Sequence, residues 1–480
     1  MSILVIDIGT SGVRAAVVRD DAIIVVEHHL EVLPLSPAPG LVEFDATAMA
    51  DAALGLARRV LAEHGPVDAV GIANQRASAI VWDRATGVPV ANGLGWQDLR
   101  TLGECLVLQA DGLRLAPNQS ATKFTALLDA ADPDRNRDLC VGTVDSWIVW
   151  NLTEGNAHVT DTSNAAVTGL MHADASGWDT TILDKLRIPE SSLARIVDSS
   201  GPIAAATALP GAPMICGIAG DQQASLIGQG CVAPGPAKIT FGTGGMLDLV
   251  VGTRRPSFAT RGPSGTFPVV AWRRGDELVW GIEAIMLSAG TNVEWLRDDL
   301  GIIDTVAESH EVASACDDSE GVVYVPALLG LGTPHWDYGA RGALFGISRG
   351  SGRAHIVRAV LEGIAHRGAD LVAATEADAA LSIPELRVDG GMSANPTFVQ
   401  ALANATSRPV EVSPVLEATT LGAAFLAGLA IGTWSGWDDV ANAWQPSRRI
   451  EPNAPLDRDR WARAVDRARE WYPELSGLDF

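Results

Sequence analysis

Residues 6–18 read IDIGTSGVRAAVV, and residues 239–251 read ITFGTGGMLDLVV. Aligned without gaps, the two copies share an isoleucine, Gly-Thr, a second glycine and a closing Val-Val. Each is an apolar strand, a turn built on Gly-Thr-x-Gly and a second apolar strand, which is the pattern of a β-hairpin. Gly9, Gly12, Gly242 and Gly245 permit positive φ, and without a Cβ they let successive N–H groups point into one concavity that holds an anion. Phosphate is the anion such a concavity suits. Two hairpins facing each other would grip a polyphosphate from both sides, and only the first copy adds an acid, Asp7, that faces a metal ion. Either hairpin alone reads as an ordinary turn in an unrelated sheet; the matched pair, half a chain apart, argues for a duplicated fold.

A chain of 480 residues exceeds what one core supports, since single cores seldom grow past about 250–300 residues. The repeat places the expected cut near the middle, giving domains over residues 1–233 and 234–480. Hydrophobic residues at 47% and charged ones at 19% describe a globular protein with ample apolar material and no expected disorder. A net charge of −23 argues against nucleic acid or an anionic membrane surface as partner, because either calls for a basic patch. Lysine occurs only at Lys123, Lys185 and Lys238, which reads as codon bias. Cys105, Cys140, Cys216, Cys231 and Cys316 form no CxxC pair, so they are expected as reduced core residues of a cytoplasmic protein. Met1 runs almost at once into the first strand, so no signal peptide is expected. No apolar run approaches the roughly 20 residues of a membrane span; the nearest, residues 421–434, is broken by Gly and Thr.

Along the chain, Asp45 is placed to cap a helix carrying Met49, Ala52, Leu56 and Val60 at helical spacing. A buried-type strand over residues 69–73 runs into Asn74-Gln75-Arg76, and such strand ends are where open α/β sheets bind ligands. A second one, residues 214–219, runs into Gly220-Asp221-Gln222-Gln223 and a helix. There the helix dipole is expected to hold Asp221 ionised. Read alone, Asp221 is an N-cap sooner than a catalytic residue, but the two glutamines make the place unusually polar for a cap alone. Residues 279–297 give a strand and then a helix containing Gly290, Glu294 and Trp295. The long irregular run 326–350, rich in glycine and aromatics, suggests binding. Residues 386–388 feed Asp389-Gly390-Gly391 and, past Asn395-Pro396, a helix start suited to a phosphate or nucleotide. Gly and Ala line a helix over 421–431 that is thereby able to approach a sheet closely. Trp461, Ala464, Val465, Ala468, Trp471 and Tyr472 form one face of a last helix ended by Pro473.

With these blocks in order, the chain resembles the FGGY family of carbohydrate kinases, and within it the glycerol kinases most. The resemblance runs almost end to end and rests on DIGTSGVR (7–14), ANQR (73–76), WQDLRT (96–101), GIAGDQQASLIGQ (217–229), FGTGG (241–245), GLGTPHWDYGARGALFGISRG (330–350), VDGGMSAN (388–395) and TTLGAAFLAGLAIG (419–432). It implies an α/β fold of two ribonuclease-H-like, actin-type ATPase domains with the active site in the cleft between them. It further implies ATP and Mg²⁺, with Asp221 as the general base and Asp7 holding the metal. Thr10, Ser11, Arg14, Gly242 and Thr243 would lie along the phosphates, and Gly290, Glu294, Gly390, Gly391 and Asn395 would line the nucleotide pocket. Arg76, Trp96, Asp221 and Gln222 match polyol-contacting positions. A homodimer or homotetramer is compatible with the family.

Three pocket positions depart from the glycerol kinase pattern: Ala77 stands where those enzymes have Glu, Asn118 where they have Tyr, and Met246 where they have Phe. The first turn is nearer to pentulose kinases, yet Gln75-Arg76 replaces the Gln-Met-His-Gly of xylulose kinases. The expected substrate is glycerol or another small polyol or sugar; a kinase of a four- or five-carbon polyol or ketose is the alternative, since Ala77 leaves room. An actin-like nucleotide-binding protein without a sugar substrate is the remaining one. It has no need of Arg76, Asp221 and Gln222.

Overall fold

The computed structural model describes residues 1–415 and 418–478. Its frame is two sheets. The first has six strands in the order Ser200–Ala205, Met214–Gly220, Ala69–Asn74, Ser2–Ile8, Gly12–Arg19 and Ile24–Glu31. The second has seven, in the order Phe267–Arg274, Glu277–Met286, Gly245–Gly252, Ala237–Phe241, Leu386–Asp389, Val410–Val412 and Arg448–Ile450. Each is built around one of the two hairpins. Ser2–Ile8 pairs antiparallel with Gly12–Arg19 and parallel with Ala69–Asn74. Ala237–Phe241 does the same with Gly245–Gly252 and Leu386–Asp389. The duplicated, actin-type arrangement expected from the repeat is therefore present, with Phe267–Arg274 as an additional edge strand of the second sheet.

Two of the four turn glycines serve a purpose other than the expected one. None of Gly9, Gly12, Gly242 and Gly245 has positive φ. At Gly12 an added Cβ would collide with the His29 ring, and at Gly245 it would sit 2.8 Å from the Met286 methyl, so these two are glycines because neighbouring strands leave no room. At Gly242 nothing lies within 4 Å, and at Gly9 only the Gly12 carbonyl does, at 3.5 Å. Those two face open space.

Local signals read from the sequence form the elements around the sheets. Asp45 accepts from the Ala48 amide at 2.9 Å and starts the helix Ala46–His64, a cap worth about 0.5–2 kcal/mol. Met49, Leu56 and Val60 enter the first core beside the first sheet. The helix Arg353–Ala379 buries Val357, Leu361, Ile364 and Leu371 in the second core. The last apolar stripe is shorter than expected: the helix is Arg458–Ala468, while Trp471 and Tyr472 are exposed and Pro473 opens a further short turn.

Two helices join the halves. Asp221–Gly228 follows Met214–Gly220, and Ala418–Ile431 stands in the same place after Val410–Val412. They lie so close that a Cβ on Gly422 would overlap the Ala224 carbonyl, and one on Gly228 the Ala418 carbonyl. Ala418–Ile431 also lies on the first sheet, where a Cβ at Gly217 would stand 2.6 Å from the Ala427 nitrogen. Its Gly/Ala composition is thus a contact surface, and a third core unites Ile3 and Val5 with Val250, Trp272 and Phe425. No helix among the described residues is long and apolar enough to cross a membrane.

Candidate active site

Asp7 is the next-to-last residue of the first strand, cross-strand from Arg14. Its carboxylate Oδ2 accepts from Thr419 Oγ1 at 2.7 Å, in the first turn of the second joining helix. The turn that follows is closed by the Gly9 amide donating to the Gly12 carbonyl at 2.9 Å. Gln75, at the end of the neighbouring strand, donates to the Gly9 carbonyl at 3.2 Å, and Trp96 Nε1 donates to Thr10 Oγ1 at 3.1 Å. The Ser11 carbonyl accepts from the Val32 amide, and Arg14 pairs with Glu27 at 3.1 Å. The first hairpin turn is thereby tied to both Asn74-Gln75-Arg76 and Trp96.

Asp221 is the first residue of its helix; Gly220 holds the cap position, so the N-cap alternative fails. The Gly220 amide donates to Ser163 Oγ at 3.0 Å, and Ser163 donates to buried Asp161, which fixes the strand-to-helix turn from behind. Asp221 Oδ1 accepts from the Gln222 amide at 2.8 Å and lies 3.4 Å from Arg76 Nε. Both contacts use the same oxygen. Arg76 reaches on to Glu283 of the second sheet, donating from Nη2 at 2.6 Å. Burial pushes the Asp221 carboxyl up from its ordinary value, against the pull of Arg76, the Gln222 amide and Lys238. The helix start was expected to keep this carboxyl ionised; burial works against that dipole and raises the carboxyl from its ordinary value.

Beneath Asp221 lies a charge network that the sequence reading did not anticipate. Lys238, fully buried, donates to Gln222 Oε1 at 2.6 Å and Thr240 Oγ1 at 3.0 Å and pairs with Asp248 at 2.7 Å. Asp248 and Glu283 are cross-strand neighbours on the second sheet, and burial followed by Glu283 pushes Asp248 up despite Lys238. Since Lys238 occupies Gln222 Oε1, the Gln222 amide NH₂ is the end left to donate. Lys123, also fully buried, donates to the carbonyls of Ala77, Trp96 and Asn118. Two of the three lysines therefore stand under this site.

On the second sheet, the Gly242-Thr243 turn is stitched to the next helix start. The Gly290 amide donates to the Gly242 carbonyl at 2.9 Å and the Ala289 amide to the Thr243 carbonyl at 2.8 Å. Gly290 caps the helix Thr291–Asp298 rather than lying within it. Glu294 is exposed on that helix. Gly390 has φ 83°, and a Cβ there would press on the Phe241 carbonyl, whereas Gly391 faces open space. Asn395 caps the helix Pro396–Thr406 through Phe398 and donates to Ser309 Oγ at 2.9 Å, so both ends of its amide are already engaged. Met246 lies half-buried cross-strand from Thr240 and Ile285, and Asn118 is exposed with its carbonyl on Lys123.

Residues 2–228 match the FGGY family of carbohydrate kinases, N-terminal domain, and residues 237–431 match the C-terminal domain of the same family. The chain belongs to the FGGY carbohydrate kinases. It is 44% identical to a glycerol kinase of Trichlorobacter lovleyi, covering 98% of this chain and 99% of that one. It is 42% identical to a glycerol kinase of Aromatoleum aromaticum over 98% of this chain and 99% of that one. Among solved structures it superposes on a glycerol kinase of Plasmodium falciparum with ADP at a TM-score of 0.90, with 28% identity over 97% of this chain and 98% of that one. A xylulose-type kinase of Brucella ovis follows at 0.87, with 25% identity over the whole of both chains. This FGGY kinase is thus an ATP-dependent phosphotransferase of the polyol and sugar class. Glu283, Asp248, Lys238, Lys123 and Thr419 are the site-bordering residues that its sequence did not announce.

Proposed function

We propose that the protein transfers the γ-phosphoryl group of ATP to a hydroxyl of glycerol or a closely related small polyol, with Asp221 as the general base. One observation carries this reading. The two contacts of Asp221 described above converge on Oδ1, which leaves Oδ2 of this part-exposed side chain to take a hydroxyl proton. As that proton moves to Oδ2, the substrate oxygen bonds to the γ-phosphorus and the bond to the bridging oxygen of ADP breaks. Arg76, fixed at 2.6 Å to Glu283, holds Asp221 from one side, and Gln222, its carbonyl end taken by Lys238, offers N–H donors to a substrate hydroxyl. Trp96 and Ala77, with Asn118 and Met246, complete the polyol wall.

The open space at Gly9, Gly242 and Gly391, which a Cβ would fill, suits the phosphates and nucleotide of ATP. Thr10, Ser11, Arg14 and Thr243 border the phosphates in this assignment, and Gly290, Glu294, Gly390 and Asn395 border the nucleotide. Residues 1–233 carry the polyol and the first phosphate turn, and residues 234–480 the nucleotide. Asp7 is the residue to hold Mg²⁺: one carboxylate sharing the ion with phosphate oxygens is the usual arrangement for this cation. When bound, Mg²⁺ neutralises phosphate charge during transfer.

A second reading, a four- or five-carbon substrate, is favoured by Ala77. Its φ of 60° is equally strained for Ala and Glu, so Ala77→Glu restores a carboxylate without a new backbone penalty. The test is ATP turnover on glycerol, erythritol, ribulose and xylulose by wild type and Ala77→Glu. Glycerol is expected as a substrate, with kcat/KM raised in the variant by about tenfold, the size of one charged hydrogen bond. A wild type turning over none of these would overturn the reading. A five-carbon substrate preferred by wild type and lost in the variant would establish the second.

A further inference from the structure

Lys123 is fully buried, and among the described residues no carboxylate lies within ion-pair distance of it. A buried ammonium without a carboxylate is costly, so its retention calls for a reason. Its surroundings supply one. Nζ donates to Trp96 O at 3.1 Å, Asn118 O at 3.3 Å and Ala77 O at 3.4 Å. An ammonium has three N–H donors, and these are three carbonyls on three separate connections. Each belongs to a residue of the polyol wall. Ala77 directly follows Arg76 and has a positive φ; Trp96 reaches Thr10 of the phosphate turn; Asn118 precedes the helix Ala121–Ala131 that carries Lys123 itself. Ser120, at the start of that helix, donates to Ser78 O at 3.2 Å and so ties the same turn a second time.

We infer that Lys123 is a positioning residue for the polyol pocket, one buried ammonium setting the mutual placement of the Arg76–Ala77 turn, Trp96 and Asn118. This rests on the kinase reading above. The lysine touches no substrate and takes no part in proton transfer. It acts by fixing the backbone on which three wall residues stand, and misplacing such groups by about 1 Å costs up to about 10²-fold in rate or binding. Burial pulls its ammonium down to about 7 against the charge of Asp98, which faces it from the connection after Trp96; the Cys105 thiol on the helix Leu102–Ala110, the other titratable group facing it, is itself pushed up by burial. The neighbouring guanidinium of Arg76 is directed instead to Asp221 and Glu283. A neutral amine keeps two N–H donors, so one of the three carbonyls loses its partner as pH rises.

The test is steady-state kinetics of wild type and Lys123→Met on the best substrate of the panel above, varying polyol and ATP separately between pH 6 and 9. Lys123→Met is expected to raise the polyol KM by about 10- to 100-fold while the ATP KM stays within about twofold. In wild type the polyol KM, and not the ATP KM, should rise with pH; in Lys123→Met that rise should vanish. A folded Lys123→Met with wild-type polyol KM overturns the inference and leaves the kinase reading standing. Wild type inactive on every member overturns both. If Lys123→Met does not fold, the wild-type profile decides: a polyol KM that is flat with pH, or one that moves together with that for ATP, overturns the inference.

Discussion

Asp221 shows how much one side chain inherits from its surroundings. Its single backbone contact is the Gln222 amide, so Asp221→Asn should leave the fold within less than the 0.5–2 kcal/mol of a lost cap. Its kcat should fall by about 10²- to 10⁴-fold with nucleotide affinity unchanged, which rapid-quench turnover and ATP titration would separate. In the proposed mechanism, Lys238 sets when Asp221 works as a base. The Lys238 charge lowers the Asp221 carboxyl, so removing it lets the carboxyl rise further and keep its proton to higher pH. A base must be ionised to act; activity is lost as pH falls through its pKa. The acid limb of kcat/KM should accordingly move to higher pH in Lys238→Met paired with Asp248→Leu, the double change avoiding a lone buried charge. An unmoved limb would remove Lys238 from the electrostatics of the base. Part of this was legible. Lys238 and Asp248 face each other across the Gly242–Gly245 hairpin, a register obtained by counting outward from the turn. Glu283 was not, because it arrives from a third strand whose pairing no local pattern announces.

At the level of the element, the two hairpin turns hold glycines of two kinds, and the sequence does not distinguish them. Gly242 faces open space; Gly245 faces the Met286 methyl at 2.8 Å. Gly242→Val should leave the thermal midpoint nearly unchanged and weaken ATP by about tenfold or more, about 1.4 kcal/mol, through side-chain bulk in the cradle. Gly245→Val should do the reverse, costing about 1–3 kcal/mol of stability by overpacking while the folded fraction keeps its ATP affinity. Calorimetry and nucleotide titration on both variants would show whether the responses cross in this way. The duplicated hairpins themselves were plain in the sequence, since an ungapped match needs no tertiary knowledge. The reason for each glycine was not plain. It depends on which strand lies alongside, and the expectation of positive φ failed for that reason.

For the whole molecule, the two-domain layout followed from the repeat, and the Gly/Ala face of residues 421–431 correctly signalled a close approach. What the repeat did not convey is that the helix Ala418–Ile431, from the second half, lies on the sheet of the first. Residues 1–233 expressed alone therefore lack one covering layer over Ile3, Val5 and Ala219. They should bind a hydrophobic dye and melt without a sharp transition, whereas the full chain melts cooperatively. A sharp calorimetric peak from the isolated half would show that the helix is dispensable to it.

The same helix also sets an order of events at the ribosome. At about 5–20 residues per second, the roughly 190 residues separating the two joining helices take about 10–40 s to make. For that interval the first sheet has emerged with one apolar side bare. The nascent chain is thus exposed to aggregation over a defined stretch of its own synthesis, and slowing translation beyond residue 228 should lengthen it.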